Sequence, residues 1–152
     1  MLNILLLFSL FQISAAAFAG GAAEIYTPSE KKRLDSAKSL DDRVRVYDAA
    51  FERLRKEIEK DIREDRFEDA ARTLSAWSEL LTESLADIEK NANPKKIPGG
   101  LKQYEIHLRQ AINGLRALRA RAPAELYDAF ISFTEQAEET RRKFMSILFA
   151  ID

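Results

Sequence analysis

Apolar residues recur at steps of three or four along most of this chain, and this spacing constrains the fold more than any other feature. The four apolar stripes consist of Val44, Tyr47, Phe51, Leu54, Ile58 and Ile62; Phe67, Ala70, Leu74, Trp77, Leu81 and Ile88; Leu101, Tyr104, Leu108, Ala111, Leu115 and Leu118; and Leu126, Phe130, Phe133, Ala137, Phe144, Leu148 and Ile151. This periodicity predicts four long amphipathic helices. Because each stripe must be buried, the four helices are expected to share one core.

Capping signals divide the chain at most of the expected helix starts. Thr27-Pro28-Ser29-Glu30 has the pattern of a capping box with proline at the first helical position, and it predicts a short helix through about Ser36. Ser39, followed three residues later by Asp42, predicts the start of the next helix.

The boundary between the first two long helices has the weakest signal. No Gly or Pro lies between Asp41 and Asn91, but the stripe changes phase near Asp65, and Asp65 with Glu68 resembles a helix cap. The alternative is one long helix over residues 41–91, in which case the bundle would have to close by dimerising.

Residues 92–100 contain Asn-Pro and Pro-Gly-Gly, which break helices and indicate a connection between two helical hairpins. The connections at 64–67, 92–100 and 122–123 are short, which favours helices of alternating direction. The predicted fold is therefore all-α. It is an antiparallel up-down bundle of four long helices plus a short N-terminal helix, in a single domain over residues 24–152.

The N-terminus resembles a secretory signal peptide. An apolar run from Ile4 to Phe11 is followed by small residues and by Ala17-Phe18-Ala19, an A-x-A cleavage pattern. Residues 1–19 are therefore predicted to be a signal peptide cleaved near Ala19/Gly20, or as far along as Ala23. The first three residues carry no Lys or Arg, so an uncleaved N-terminal anchor is the alternative. The expected location is periplasmic or secreted, in a bacterial envelope.

The residue inventory predicts neither catalysis nor a bound cofactor or metal. The chain has no cysteine and a single histidine, His107, so thiolate chemistry, Cys-ligated zinc and the two Glu-x-x-His motifs of di-iron bundles are excluded. It also lacks the G-x-S-x-G nucleophile motif and the D-x-D-x-D-G calcium loop. His107 lies beside the third stripe, where we expect its ring to cover apolar surface and its nitrogens to face water. We expect the protein not to be an enzyme.

Charge is balanced over the whole chain but not along it. Twenty-four Lys and Arg against 25 Asp and Glu exclude a general preference for nucleic acid. Residues 93–122, however, carry seven basic residues and one acid, whereas residues 67–92 and 123–152 carry net charges of −4 and −3. Lys102, Arg109 and Arg116 recur every seven residues and so lie on one helix face, with Arg119 nearby.

This basic stripe has two interpretations. In the first, the third long helix sits between two acidic neighbours and its charges pair internally. In the second, the stripe faces outward and binds an anionic surface.

The sequence therefore predicts a non-enzymatic, exported helical bundle acting as an interaction, adaptor or structural module in the cell envelope. The alternative is a binding protein for an anionic ligand or surface, with Lys102, Arg109, Arg116 and Arg119 as the binding residues. The expected partner is another protein, a second copy of the chain or an anionic surface. Nucleic acid is not expected, nor is a membrane span after signal cleavage.

Overall fold

A computed structural model describes residues 23–150, which form five α-helices and one short 3-10 turn. In chain order they are α1 (Pro28–Ser36), α2 (Leu40–Arg63), α3 (Phe67–Asn91), α4 (Leu101–Arg121), the turn Ala124–Leu126 and α5 (Tyr127–Phe149). The predicted all-α class is confirmed over this range. The predicted signal peptide at residues 1–19 and the last stripe position, Ile151, lie outside the described residues. None of the helices between residues 23 and 150 has the length and apolarity needed to cross a membrane.

The two predicted helix starts near the N-terminus are both confirmed. The Thr27 hydroxyl accepts a hydrogen bond from the Glu30 backbone N–H, and the Glu30 carboxylate accepts one from the Thr27 backbone N–H at 2.9 Å. The Ser39 hydroxyl accepts from the Asp42 backbone N–H at 3.1 Å and begins α2. These caps satisfy N–H groups that have no partner inside the helix.

The division between α2 and α3 is also confirmed, but the predicted cap is wrong. Asp65 does not cap α3; it adopts a left-handed conformation with φ of 57° after α2 has ended. The Arg66 backbone N–H then donates to the Asp61 carbonyl at 2.8 Å, which closes the end of α2. Aspartate tolerates this conformation better than most residues, so it ends a helix where no glycine is present.

The four long helices form a square rather than a row. α2 packs against α3 and α4, and α5 packs against the same two helices. Contacts between α2 and the α4 region follow the same order along the chain, from Asp41 with Gly99 to Asp48 with His107, so α2 and α4 lie side by side and parallel. The connection from α3 to α4 therefore crosses the diagonal of the bundle.

The predicted stripes meet in one aromatic core. Phe51 of α2 lies between Trp77 of α3 and Tyr104 of α4, with ring centroids 4.9 and 5.5 Å apart. Trp77 stacks on Phe133 at 4.3 Å, and Tyr104 contacts Phe144 at 5.0 Å, both on α5. Aromatic rings from all four long helices thus hold one another in place.

The short helix α1 packs along α2 and is fixed by Arg53. The Arg53 guanidinium donates to the Glu30 carboxylate at 2.9 Å and to the Ile25 carbonyl at 2.6 Å. One α2 side chain therefore anchors both α1 and the segment that precedes it.

Candidate basic face on helix α4

The outer surface of α4 carries most of the basic residues that the sequence analysis selected. We define the α4 basic face as Lys102, Arg109, Arg116 and Arg119. Lys102, Arg109 and Arg116 are exposed and Arg119 is half-buried, while the stripe through Leu108 faces the core on the opposite side. α4 has five Lys or Arg residues and a single acid, Glu105.

The α4 basic face takes little part in ion pairing within the described chain. Arg109 lies 3.9 Å from the Glu105 carboxylate of the same helix. That carboxylate is buried and already accepts a 2.8 Å hydrogen bond from Arg141 of α5. Between residues 23 and 150, no acidic side chain lies within 4.0 Å of the charged groups of Lys102, Arg116 or Arg119.

The interpretation in which α4 packs between two acidic helices is wrong for one of those two helices. α4 packs against α2 and α5, and the acidic helix α3 lies diagonally across the core. α2 is electrically neutral, with seven Asp or Glu residues and seven Lys or Arg residues between Leu40 and Arg63. Only α5 remains as an acidic neighbour, and it offers few contacts to the basic face.

Two residues of the α4 basic face share a small open cleft with α5. Arg116 and Arg119 line this cleft of about 220 Å³ together with Thr134 and Glu138 of α5. The Glu138 carboxylate lies beyond 4.0 Å from both guanidinium groups in the described structure. The cleft gives the two arginines a concave setting that a flat helix surface lacks.

The expectation that the ring nitrogens of His107 face water is wrong, because both have partners in the protein. Its Nδ1 lies 2.6 Å from the Asp48 carboxylate of α2, and its Nε2 lies 2.9 Å from the side-chain nitrogen of Gln103. The carboxylate requires a proton on Nδ1, and an amide N–H at Gln103 then donates to the lone pair on Nε2. In this tautomer both ring nitrogens are occupied, and neither is free to act as a general base.

The His107–Asp48 contact therefore joins the parallel helices α2 and α4. Burial raises the pKa of Asp48, and the hydrogen bond from His107 opposes that rise. Beside it, Tyr104 and Ser84 share a buried hydrogen bond of 2.9 Å between their hydroxyl groups, which links α4 to α3 across the diagonal. These polar contacts specify which helices meet in the core.

The connection at residues 92–100 is confirmed as a turn, and the structure adds a docking contact that sequence reasoning missed. The Gly99 N–H donates to the Asp41 carboxylate at 2.8 Å, and the Lys96 ammonium lies 3.4 Å from the same group. Pro98 is buried, and Gly100 has φ of 89°, which only glycine adopts without strain. The Gly-Gly pair was the available signal, but nothing local identifies Asp41 as its partner.

Comparison of the chain with known protein families, with curated proteins and with solved structures finds no match. Over residues 23–150, no group of three His, Asp or Glu side chains is placed to hold a metal ion.

Proposed function

We propose that this chain is an exported, non-enzymatic helical interaction module of the cell envelope that binds an acidic partner through the α4 basic face. The observation that carries the proposal is that Lys102, Arg116 and Arg119 make no ion pair in the described structure, and that the first two are exposed. Charges that pair with neighbouring helices serve the fold. Charges that do not are free to attract a partner.

The packing of α4 supports this division of labour. Leu101, Tyr104, Leu108, Ala111 and Leu115 are buried and hold the helix against α2 and α5. The basic side chains on the other face contribute little to that burial. A partner could therefore contact them without disturbing the core, and they could be replaced without unfolding the helix.

The repeat of seven residues suits an extended partner rather than a small one. Lys102, Arg109 and Arg116 are separated by two helical turns each, so they span roughly 21 Å along α4. An acidic protein surface, an anionic envelope polymer or a layer of lipid headgroups can present several negative charges over that length. Export, which the N-terminal sequence supports, would place the chain among such partners.

The test replaces Lys102, Arg109 and Arg116 by Gln and measures retention on a sulfated polysaccharide resin and on poly-glutamate over a series of salt concentrations. The matched control replaces Lys32, Lys56 and Lys90 by Gln; these lysines are exposed and lie on α1, α2 and α3. Both variants change the net charge equally. We expect the α4 variant alone to lose salt-sensitive retention, because screening weakens exposed charge contacts.

Melting temperature separates the two interpretations of the stripe. If the basic face binds outward, the α4 variant melts within a few degrees of the natural chain, since exposed charges typically change stability by about 0.5 kcal/mol or less. A clear loss of thermal stability, or equal loss of retention in the α4 variant and the control, would contradict the proposal.

A further inference from the structure

A second basic site lies where the chain turns from α1 into α2. A cleft of about 350 Å³ opens at this elbow. Its lining residues are Arg33, Ser36, Ala37, Lys38, Asp42, Arg45 and Val46. We call it the elbow cleft. It is built from α1, the α1–α2 turn and the first turns of α2, and shares no residue with the α4 basic face.

The three cations of the elbow cleft have no ion-pair partner in the described chain. Many other arginines between residues 23 and 150 do have one: Arg43, Arg53, Arg55, Arg66, Arg72, Arg109, Arg141 and Arg142 each lie within 4.0 Å of a carboxylate. Arg33, Lys38 and Arg45 do not, although they surround one concavity. Like charges in one cleft repel unless an anion compensates them.

The acidic residues nearest to the elbow cleft are already engaged. Asp42 lines the cleft, and its carboxylate accepts a 2.8 Å hydrogen bond from the Ser39 hydroxyl. Asp41, one residue earlier, accepts from the Gly99 N–H and pairs with Lys96. The pKa of Asp41 is lowered mainly by the Gly99 hydrogen bond, and Arg45 contributes at longer range. The cleft thus has a net charge of +2 from its own lining residues.

We propose that the elbow cleft is a binding site for a phosphate group. Two arginines and one lysine line this single concavity, which matches a compact anion of more than one charge, and guanidinium groups bind phosphate oxygens in pairs. Ser36 also lines the cleft, and its hydroxyl donates to the Arg33 backbone carbonyl at 3.2 Å. A monovalent carboxylate would compensate only half of the net charge of +2, whereas a phosphate dianion would compensate all of it.

Two sources could supply this phosphate group, and they share the same recognition chemistry. One is free inorganic phosphate or a soluble phosphate monoester. The other is the monoester headgroup of phosphatidic acid in a membrane surface. In both cases Arg33 and Arg45, from opposite sides of the elbow, would bind the phosphate oxygens.

The experiment titrates the full, isotope-labelled chain with inorganic phosphate at constant ionic strength and follows backbone amide signals of residues 36–46. A parallel arm measures binding to phosphatidylcholine vesicles with and without phosphatidic acid. The test variant is Arg33→Gln with Arg45→Gln, which keeps the aliphatic part of Arg45 that lies beside Gly100. The matched control is Lys31→Gln with Lys32→Gln, two exposed lysines of the same helix.

We expect saturable binding in at least one arm, weakened about tenfold or more in the test variant, the change for the loss of one charge-assisted hydrogen bond. The control should bind within about twofold of the natural chain, because it loses the same charge without altering the cleft. Binding of inorganic phosphate identifies a soluble ligand, and binding only to phosphatidic acid vesicles identifies a headgroup.

The proposal is overturned if neither probe binds, or if both variants weaken binding equally. Should the test variant melt early, Arg33→Gln with Lys38→Gln replaces it and leaves Arg45 in place. The α4 triple variant described above retains the elbow cleft. Loss of phosphate binding in the elbow variant and loss of polyanion retention in the α4 variant can therefore be scored separately.

Discussion

The α2–α3 hairpin and helix α4 use their charges in opposite ways. In the hairpin, five arginines pair with a carboxylate. Arg43 with Asp87 and Arg53 with Glu30 join different helices, and Arg66 pairs with Asp61 at the α2–α3 turn. Arg55 with Glu52 and Glu59, and Arg72 with Asp69, pair within one helix. Among the described residues, Arg109 is the only Lys or Arg of α4 within 4.0 Å of a carboxylate, at 3.9 Å from Glu105. The hairpin's charges therefore help to specify the fold, whereas those of α4 exceed what the fold requires.

The contrast is sharpest at Asp87. Its carboxylate accepts from the Arg43 guanidinium at 2.7 and 3.1 Å and from the Tyr47 hydroxyl at 2.8 Å. Partial burial acts to raise the pKa of Asp87, but the hydrogen bonds from Arg43 and Tyr47 outweigh it and lower that pKa. No residue of the α4 basic face has a comparable set of partners in the described structure.

The hairpin and α4 differ in their surface charges but contribute to the same core. Substitutions of core residues should therefore destabilise the protein by similar amounts in both regions. Phe51 of the hairpin and Leu108 of α4 are fully buried. Replacing either by Ala should lower the free energy of unfolding by about 2 to 5 kcal/mol, because a cavity remains where the side chain was. Chemical denaturation measures this loss. A cost below about 1 kcal/mol at both positions would show that the two regions do not share one core.

Single arginine substitutions should lower the free energy of unfolding by less than the core substitutions, and by different amounts in the two regions. Arg43→Ala leaves the partly buried Asp87 carboxylate without its guanidinium partner, so we expect a loss of about 1 to 2 kcal/mol after allowance for solvent screening. Arg116→Ala should change stability by about 0.5 kcal/mol or less, because this exposed side chain has no ion pair within the described residues. Equal losses of stability for these two variants in denaturation experiments would contradict the proposed difference between the hairpin and α4.

The local features of both regions could be predicted from sequence. The apolar periodicity identified the four long helices, and the Thr27 and Ser39 caps depend on residues only three positions apart. The predicted Asp65 cap is wrong because aspartate is common both at helix N-caps and in left-handed turns. The turn at Asp65 is closed by backbone hydrogen bonds, which the side-chain sequence does not reveal.

The neighbour relationships could not be predicted in this way. The contacts that place α4 beside α2 join residues more than fifty positions apart, as with Asp41 and Gly99 or Asp48 and His107. Short connections favour the packing of consecutive helices against each other. The α3–α4 connection instead contacts the start of α2, so α4 packs against α2 and not against α3. The acidic helix α3 lies across the diagonal, and among the described residues it makes no ion pair within 4.0 Å with the α4 basic face.

The attachment of α1 to the hairpin should depend on pH. Partial burial acts to raise the pKa of Glu30, but hydrogen bonds from Arg53 and from the Thr27 backbone outweigh it and lower that pKa. Because the folded-state pKa lies below the unfolded value of 4.5, the stabilisation is present above that pH and disappears as pH falls through the folded-state pKa.

Glu30→Gln should therefore destabilise the chain by about 1 kcal/mol near neutral pH and by progressively less in acid. Denaturation of both chains across the acid range measures this difference. A difference that stays constant with pH would mean that Glu30 holds α1 by its capping geometry alone.

The smallest effect is expected at the α3–α4 connection, where Lys95 and Lys96 are exposed and Lys96 lies near an acid. Lys96 is 3.4 Å from Asp41, yet its side chain is 70% exposed, so the pair should contribute little. Replacing both lysines by Ser should change the free energy of unfolding by about 0.5 kcal/mol or less and leave polyanion retention intact. Asp41→Ala is the informative partner variant, because it removes the acceptor of the Gly99 N–H and should cost about 0.5 to 1.5 kcal/mol. The docking of this connection would then rest on one carboxylate and the Gly-Gly backbone. If the variant of Lys95 and Lys96 loses polyanion retention while its melting temperature is unchanged, the α3–α4 connection is part of the binding surface. The binding surface would then extend beyond α4 into this connection.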